Sequence, residues 1–437
     1  MKRKERGLCE LYAEDPEGAD YRVFGRVPEK NRRGFLKGAG LAAMGAAIGT
    51  TIPFSRNMPA GLIPAAFAET SEPFTIKGKD GLVVLNDRPL NAETPAYLLD
   101  DPITPNNRHF IRNNGMVPEN AEAMDASGWT VTVDGEVATP LTLTLDDLRN
   151  KFEVVKMALL IECGGNGRAG FNPPAKGNQW TLGAVGCAEW TGVRYRDILE
   201  MAGVKPSAKY TGHFGSDVHL SGDFDKVVIS RGFPIDKAMM DNTLVAFEMN
   251  GQPIPSWNGF PVRVVAPGWP GSCSQKWLTR IWVRDVEHDG TKMTGYSYRV
   301  PRYRAEPGEK VAKEDMAIIE EMPVKSLITF PKSGESHAMG SPLEVRGHAW
   351  VGDRMIKTMD LSIDYGATWM KADLDAPVNE GAWQNWRAKV EFPTKGYYEV
   401  WGRATDDAGV TQPMVVPGWN PRGYLNNSAH RIAVKVG

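Results

Sequence analysis

The sequence is poor in cysteine and carries almost no net charge. Four cysteines among 437 residues are too few to build a fold from disulfide bonds. A formal net charge of −2 excludes the strongly basic surface of a nucleic-acid-binding protein, so we expect no nucleic-acid partner. The mildly apolar stretch 38–53 is too short for a membrane span, which needs about 20 apolar residues. No Cys-x-x-Cys or Cys-x-x-Cys-His motif occurs, so we expect no haem attached to this chain.

Glycine and proline are abundant instead. The chain has 46 glycines and 31 prolines, which favour many turns and short strands. Hydrophobic residues make up 42% and charged residues 24%, as in ordinary globular proteins. At about 150 residues per domain, the length predicts two or three domains.

Residues 1–68 have the pattern of an export signal. Arg32-Arg33 precede Phe35-Leu36-Lys37, a stretch rich in glycine and alanine follows, and Ala66-Phe67-Ala68 is a small-x-small cleavage site. This order predicts a twin-arginine signal and export of the folded protein to the periplasm. The alternative is a basic surface loop before an alanine-rich helix.

Cleavage after residue 68 would remove Cys9 and leave three cysteines. Because three is an odd number, at least one sulfur has no partner within the chain and must be buried or bind something. A disulfide between Cys187 and Cys273 and a packing role for each remain open. Cys163 has a different setting, described below.

Residues 69–319 predict a mixed domain of short elements. A proline-rich extended segment over 69–107 precedes a hairpin over 129–137, which turns at Asp134-Gly135. Further elements are expected as helices over 145–150 and 195–202, strands over 156–162, 227–230, 244–249 and 262–266, and a tight turn at Asn250-Gly251.

Residues 320–437 predict a second domain after a charged linker over 302–322. Alternating polar and apolar residues dominate here, between turn signals. Strands are expected over 343–350, 360–364, 389–392, 397–401 and 430–436. This spacing is typical of an immunoglobulin-like β-sandwich, so the predicted fold class is α+β and rich in β-structure.

The segment Glu162 to Arg168 carries the first candidate site. Cys163 follows an apolar run, and two glycines after it let a large group approach the backbone. Asn166 and Arg168 add hydrogen-bond donors. A thiolate beside open backbone and a cation indicates a metal or nucleophile site, while the alternative is a small buried cysteine before a glycine turn.

Two further clusters are rich in arginine and asparagine. Arg112, Asn113 and Asn114 lie among apolar residues and suit a polar heterocycle or an oxyanion, or else a solvated loop. Arg263 lies inside an apolar strand and needs a buried anion, either a phosphate or a structural carboxylate.

Together these stretches resemble the sulfite oxidase family of molybdenum enzymes. The resemblance covers nearly the whole chain after residue 68, in family order. The stretches that carry it are Phe110–Asn113, Glu162–Arg168, Glu248–Pro253, Gly259–Val265, Lys276–Leu278 and Trp419–Gly423.

The resemblance implies one molybdenum held by one pyranopterin dithiolene (molybdopterin) and by the thiolate of Cys163. It also implies substrate-pocket roles for Arg112, Arg168, Trp180 and Tyr296. The implied cofactor contacts are Phe110, Ile111, Arg112, Asn113, Asn114, Cys163, Asp217, Asn258, Arg263, Ser274, Gln275 and Lys276. The implied fold is a molybdopterin-binding domain over 69–319, followed by a dimerisation sandwich over 320–437 that forms a homodimer.

Three departures from the family pattern refine the expectation. Family histidines are Asn114 and Asn258 here, and Cys273-Ser274 replace an Arg-His pair. We place the family's further pocket arginine at Gln384, which would remove a positive charge from the substrate site. That loss favours the sulfane dehydrogenase branch, the molybdenum subunit of the Sox sulfur-oxidising system, whose substrate is bound to a sulfur-carrier protein.

The expected activity is therefore oxidation of a sulfur substrate by oxygen-atom transfer, with electrons passed to a separate c-type cytochrome. A free-sulfite dehydrogenase is the alternative within enzymes, and nitrate reduction comes third. A non-catalytic secreted binding protein is a remote alternative from another class. His213, His219 and Asp217 have spacing that resembles a second metal site, although the resemblance assigns this loop to the cofactor.

Overall fold

The computed structural model describes residues 75–437. The expected export signal and Cys9 lie outside the described residues. Four short helices occur in the described part: α1 Glu119–Glu122, α2 Leu145–Asn150, α3 Tyr195–Ala202 and α4 Ile235–Ala238. Single 3₁₀ turns occupy Ala96–Leu98, Arg168–Gly170, Ser256–Asn258 and Lys313–Asp315. No helix of this part is long and apolar enough to span a membrane.

The helices expected over 145–150 and 195–202 are confirmed as α2 and α3. Thr144 caps α2: its side chain accepts a hydrogen bond from the backbone N–H of Asp147, and the Asp147 carboxylate accepts one from the backbone N–H of Thr144. This reciprocal capping box satisfies two backbone donors that the helix leaves free. The sequence pattern therefore located this helix start correctly.

Fourteen strands lie within residues 83–318. They are β1 Val83–Asp87, β2 Leu90–Glu93, β3 Ile111–Arg112, β4 Thr130–Gly135, β5 Leu141–Thr144, β6 Val154–Glu162, β7 Val185–Arg194, β8 Tyr210–Gly215, β9 Leu244–Met249, β10 Gln252–Pro253, β11 Arg263–Val265, β12 Leu278–Arg284, β13 Arg299–Pro301 and β14 Met316–Ile318. They form a three-stranded sheet (β1-β2-β3), a five-stranded sheet (β10-β9-β7-β6, with β11 on β9), a four-stranded sheet (β5-β4-β12-β8) and the pair β13-β14.

The five-stranded sheet lies at the centre of this half. Leu159 and Ile161 of β6 and Val193 of β7 are buried in one large apolar cluster with residues of the four-stranded sheet. β6 is an edge strand of its sheet and ends at Glu162, and the chain continues directly into Cys163, which is buried in the same apolar cluster. The packing therefore fixes where Cys163 lies.

Nine strands lie within residues 325–436. They are β15 Lys325–Phe330, β16 Glu335–His337, β17 Leu343–Trp350, β18 Ile356–Ser362, β19 Met370–Lys371, β20 Asp373–Leu374, β21 Gln384–Val390, β22 Gly396–Asp406 and β23 His430–Val436. One sheet has the order β15-β17-β21-β20 and the other β16-β23-β22-β18-β19. Val345 and Trp386 of the first sheet and Leu361 and Val400 of the second share one buried core. Two sheets face each other across that core, as in a β-sandwich.

One expected strand is wrong. Residues 227–230 form no strand, although Val228 and Ile229 are buried. The Ser230 hydroxyl donates to the carbonyl of His213 at 2.8 Å, so this irregular segment is bonded to β8, while Val228 and Ile229 pack against Tyr298 and Tyr424.

Candidate active site

Cys163 lies in a tight turn at the end of β6. Its backbone N–H donates to Ala184 O at 2.9 Å, and its carbonyl accepts from the Asn166 N–H at 2.8 Å. A Cβ on Gly165 would collide with the Arg168 guanidinium, so glycine is required for this close approach. The thiol of Cys163 is free and buried.

Two cavities meet at Cys163. The first extends towards Asn258, Arg263 and Lys276. The second extends towards Arg168 and Arg422. The residues that line both are Arg112, Asn114, Cys163 and Tyr298.

Arg263 and Lys276 line the first cavity, and Lys79 lies next to it, where its Nζ donates to Asn258 Oδ1 at 2.8 Å. Burial lowers the pKa of Lys79 to about 7 and that of Arg263 to about 9, and it lowers the pKa of Lys276 well below its usual range. The carboxylate lining this cavity in the described chain is Asp217, whose own pKa burial raises to about 6. Since burial disfavours these charges, an anionic group bound here would restore their charged forms.

Polar atoms without partners point into the same cavity. Gln275 Oε1, Ser272 Oγ and His109 Nε2 are buried and find no hydrogen-bond partner among the described residues, and all three residues line the cavity. Such atoms are rare in folded proteins, so they indicate a ligand rich in donors and acceptors. A pterin with a phosphate has these groups, and the Cys163 sulfur is a soft donor suited to a metal that already carries sulfur ligands. The residues present therefore fit a molybdenum pterin cofactor.

Arg112, Asn114, Tyr298 and Lys292 form a hydrogen-bond network where the cavities meet. Asn114 Oδ1 accepts from Arg112 Nη2 at 2.9 Å and from Lys292 Nζ at 2.7 Å. The Tyr298 hydroxyl accepts from Arg112 Nη2 at 3.5 Å. Burial would raise the pKa of Tyr298, but the nearby charges of Arg112 and Lys292 outweigh it and hold that pKa below its usual value.

Positive charge dominates the second cavity. Arg168 is buried and held in place, because its Nε donates to Arg422 O at 2.7 Å and its Nη1 donates to Asn178 O at 2.8 Å. The cations lining the cavity are Arg112, Arg168, Lys176, Lys292 and Arg422, and no carboxylate of residues 75–437 lines it. Planar guanidinium groups bind oxyanions with paired donors, so this cavity suits a small oxyanion.

Most predicted cofactor contacts line the first cavity. These are Phe110, Arg112, Asn114, Cys163, Asp217, Asn258, Arg263, Ser274, Gln275 and Lys276. Ile111 and Asn113 are buried behind it: Ile111 packs in a small apolar cluster, and Asn113 Oδ1 accepts from Lys276 Nζ. Trp180 is fully buried and lines neither cavity.

The structure corrects the expected pocket tyrosine. Tyr296 points away, since its hydroxyl donates to Val311 O at 2.8 Å and its ring packs beside Met316. Tyr298, two residues later, lines both cavities instead. This loop has no sequence periodicity that would separate the two tyrosines.

The structure also corrects the expected loss of a pocket arginine. Gln384 lies inside the sandwich, where its Oε1 accepts from Ile356 N at 2.7 Å and its Nε2 donates to Asp375 O at 3.1 Å. Arg422 supplies the further pocket cation. The sequence analysis gave Arg422 no role, although the family-like motif Trp419–Gly423 contains it and could have located it.

Other lining residues escaped the sequence analysis. They are His109, Trp257, Ser272 and Trp277 in the first cavity, and Lys176, Asn178, Lys292 and Tyr424 in the second. The suspected second metal site gains no support, because no cluster of three metal-binding side chains occurs within residues 75–437. His213 is buried instead, its Nε2 is 3.0 Å from the Tyr195 hydroxyl, and burial lowers its pKa to about 3.

Comparison with known proteins decides the family. Residues 114–292 match the oxidoreductase molybdopterin binding domain, and residues 316–437 match the Mo-co oxidoreductase dimerisation domain. The chain is 35% identical to mitochondrial sulfite oxidase of Homo sapiens, over 85% of this chain and 69% of that protein. It is 34% identical to sulfite oxidase of Gallus gallus, over 80% of this chain and 77% of that protein.

The chain belongs to the sulfite oxidase family of molybdenum enzymes. Among solved structures it resembles the sulfane dehydrogenase SoxCD of Paracoccus pantotrophus, with a TM-score of 0.66 and 26% identity over 86% of this chain and 91% of that one. The expected recognition, fold class and oxidoreductase activity are thus confirmed. The family membership implies a molybdenum pterin cofactor, and the dimerisation domain supports a homodimer.

Proposed function

We propose that this protein oxidises a small sulfur oxyanion, with free sulfite as its main substrate. The single observation that carries the proposal is the second cavity, which reaches Cys163 and is lined by three arginines and two lysines with no carboxylate among the described lining residues. Sulfite is a small dianion whose sulfur keeps a lone pair. Its oxygens match the guanidinium donors, which leaves the sulfur directed towards the metal end of the cavity.

The reaction converts sulfite and water into sulfate, two protons and two electrons. When bound, the molybdenum cofactor supplies the two-electron redox couple and oxygen-atom transfer to sulfur. Cys163 would hold the metal, and Arg263 and Lys276 would hold the anionic part of the pterin. Arg112, Arg168 and Arg422 bind and orient the substrate oxygens. Tyr298 accepts hydrogen bonds from Arg112 and Asn114, so its own proton is free to donate to a substrate oxygen.

The export route, the electron acceptor and the domain bounds of this proposal are taken from the sequence analysis. We infer that residues 1–68 direct export to the periplasm, and that a separate c-type cytochrome accepts the electrons one at a time. We assign residues 69–319 to the catalytic domain and 320–437 to the dimerisation sandwich.

Carrier-bound sulfane sulfur is the second candidate substrate, favoured by the likeness to a sulfane dehydrogenase. The argument from a missing pocket charge no longer applies, since Gln384 lies in the sandwich and Arg422 lines the cavity. Steady-state kinetics with ferricyanide as acceptor test both candidates. Saturable oxidation of free sulfite supports the first, whereas activity with sulfur bound to a carrier protein and none with sulfite supports the second.

A further inference from the structure

Two tyrosines and two arginines form a continuous stack beside the second cavity. The guanidinium carbon of Arg231 lies 4.8 Å from the centroid of the Tyr298 ring. The Tyr298 and Tyr424 rings are stacked, with centroids 5.5 Å apart and an interplanar angle of 22°. The guanidinium carbon of Arg168 lies 5.1 Å from the Tyr424 ring centroid. Each terminal cation thus lies over the electron-rich face of a ring, and the two rings pack at an ordinary stacking distance.

Tyr424 is the member that comes from the C-terminal part of the chain. It lies between Tyr298 and Arg168, two groups of the molybdopterin-binding part that line the substrate cavity. A substitution at Tyr424 therefore acts on both groups at once. Arg231 is fully buried at the outer end of the stack and supports Tyr298 from the opposite face.

Hydrogen bonds to the backbone of Tyr424 and of its neighbour Leu425 hold the ring in this position. Its N–H donates to Asn420 Oδ1 at 3.0 Å, and its carbonyl accepts from Asn420 Nδ2 at 2.9 Å. The next residue, Leu425, donates its N–H to Gly164 O at 3.0 Å, beside Cys163. Gly423 has a φ of 55°, and a Cβ there would lie 2.7 Å from Arg168 Cγ, so glycine is required before the ring.

We propose that Tyr424 is a specificity-determining positioning residue, which sets the separation of Tyr298 and Arg168 and so matches the cavity to a three-oxygen anion. The inference rests on the proposed function and deepens it. The ring of Tyr424, and not its hydroxyl, has this role, since Tyr298 and Arg168 both contact the faces of the ring. Burial raises the pKa of the Tyr424 phenol, which keeps the ring neutral between the two groups that it separates.

The test compares Tyr424→Leu with Tyr424→Phe in the molybdenum-loaded full-length protein. Leucine removes both ring faces, so KM for sulfite should rise about tenfold, as expected for losing desolvated ring contacts, while kcat changes less. Phenylalanine keeps the faces and should recover most of the loss. The Leu variant should also lose its preference for sulfite over the bulkier benzenesulfinate, measured as the ratio of the two kcat/KM values with ferricyanide as acceptor.

Two measurements separate this effect from damage to the fold. Molybdenum content and melting temperature are determined for each variant, and Tyr397→Leu, an exposed tyrosine of the sandwich, is the matched control. If the Leu variant does not load molybdenum, Tyr424→Trp replaces it. The larger ring should narrow the cavity and depress benzenesulfinate turnover more than sulfite turnover.

The inference and the proposed function fail in different ways. An unaltered KM and an unaltered substrate preference in Tyr424→Leu overturn the inference, while sulfite oxidation by the wild type stands. If the wild type does not oxidise sulfite, the proposed function fails, and calorimetric titration with sulfate then decides the inference. Equal sulfate affinity in wild type and Tyr424→Leu overturns it, and weaker affinity in the variant supports it.

Discussion

Glu162 and Lys325 form a buried ion pair that joins the two halves of the chain, with Lys325 Nζ 2.5 Å from Glu162 Oε1. Both side chains are almost fully buried, and Glu162 Oε2 also accepts from Trp350 Nε1 at 2.9 Å. Asn166 Nδ2 donates to the same carboxylate at 3.0 Å. Since Glu162 precedes Cys163, the first strand of the sandwich is bonded to the turn that carries the proposed metal ligand.

Replacing Lys325 with Met should therefore destabilise the protein. Removing one partner of a buried pair leaves the Glu162 charge without compensation and costs about 3–5 kcal/mol. Thermal unfolding of the purified protein measures the change. Lys395→Met, at an exposed position of the sandwich, is the control and should leave the melting temperature within about a degree, because exposed substitutions have small effects. Equal melting temperatures for the two variants would contradict the role of the pair.

Cys163→Ser should lose the molybdenum. A serine oxygen is a harder donor than a thiolate and matches a sulfur-ligated metal poorly. Metal analysis of the purified variant gives the result directly. Cys187→Ala is the control: Cys187 is buried in a different apolar cluster and burial raises its thiol pKa to about 12, so this variant should keep its metal. Full molybdenum content and turnover in the Cys163→Ser variant would show that the ligand is another residue.

Arg422→Gln should weaken sulfite binding while Gln384→Ala should not. Arg422 lines the cavity, and the loss of one charge-assisted hydrogen bond there should raise KM about tenfold. Gln384 bonds only within the sandwich, so its replacement should lower stability by about 1–3 kcal/mol without changing KM. Kinetics and thermal unfolding of both variants separate the two roles. A raised KM in Gln384→Ala and an unchanged KM in Arg422→Gln would show that Gln384, and not Arg422, contacts the substrate.

Tyr298→Phe should remove an alkaline limb from the pH profile of kcat/KM. Arg112 and Lys292 favour the phenolate and hold the Tyr298 pKa below its usual value of about 10. The neutral phenol donates to the substrate, so wild-type activity should fall as pH rises through this lowered pKa. The Phe variant should be slower but flat over the same range. Tyr424→Phe is the control and should keep the wild-type limb, because the Tyr424 pKa is raised. If the alkaline limb persists in Tyr298→Phe, a group other than Tyr298 causes it.

Replacing both Arg32 and Arg33 with Lys should block export. The twin-arginine pair is the feature of residues 1–68 that the proposed pathway recognises. Fractionation of cells expressing the variant should find the precursor in the cytoplasm, with the mature protein absent from the periplasm. Substituting Lys2 and Arg3 with Gln preserves the pair and should leave export normal. Periplasmic delivery of the Arg32/Arg33 variant would exclude this pathway.

The sequence predicted those helices and strands whose ends are set by residues near in sequence. Helix α2 was predicted from Thr144 as its cap, and the structure shows that Asp147 completes this cap within one turn. The end of β6 was predicted because an apolar run stops at Glu162, directly before Cys163 and two glycines. Strand β15 was missed, since it begins with Lys325 and Ser326, both buried by contacts with residues far away in sequence.

In the site, too, the sequence located residues that lie in local motifs and missed those that distant contacts position. Arg112, Cys163 and Arg168 were placed by family-like motifs, and all three line the second cavity. Tyr298 and Lys292 lie in an irregular loop, where neither helix nor strand periodicity shows which side chain faces inward. Both have positive φ values, a backbone conformation that tertiary contacts impose.

The position of Arg422 and Tyr424 has a consequence for biosynthesis. Both residues belong to the last 16 of the chain, while Cys163 and the cofactor cavity are made much earlier. A chain that lacks Arg422 and Tyr424 contains every residue that lines the first cavity, but its second cavity, which we assign to the substrate, is incomplete. A premature stop codon anywhere before Arg422 should therefore leave a protein that lacks part of its oxyanion pocket.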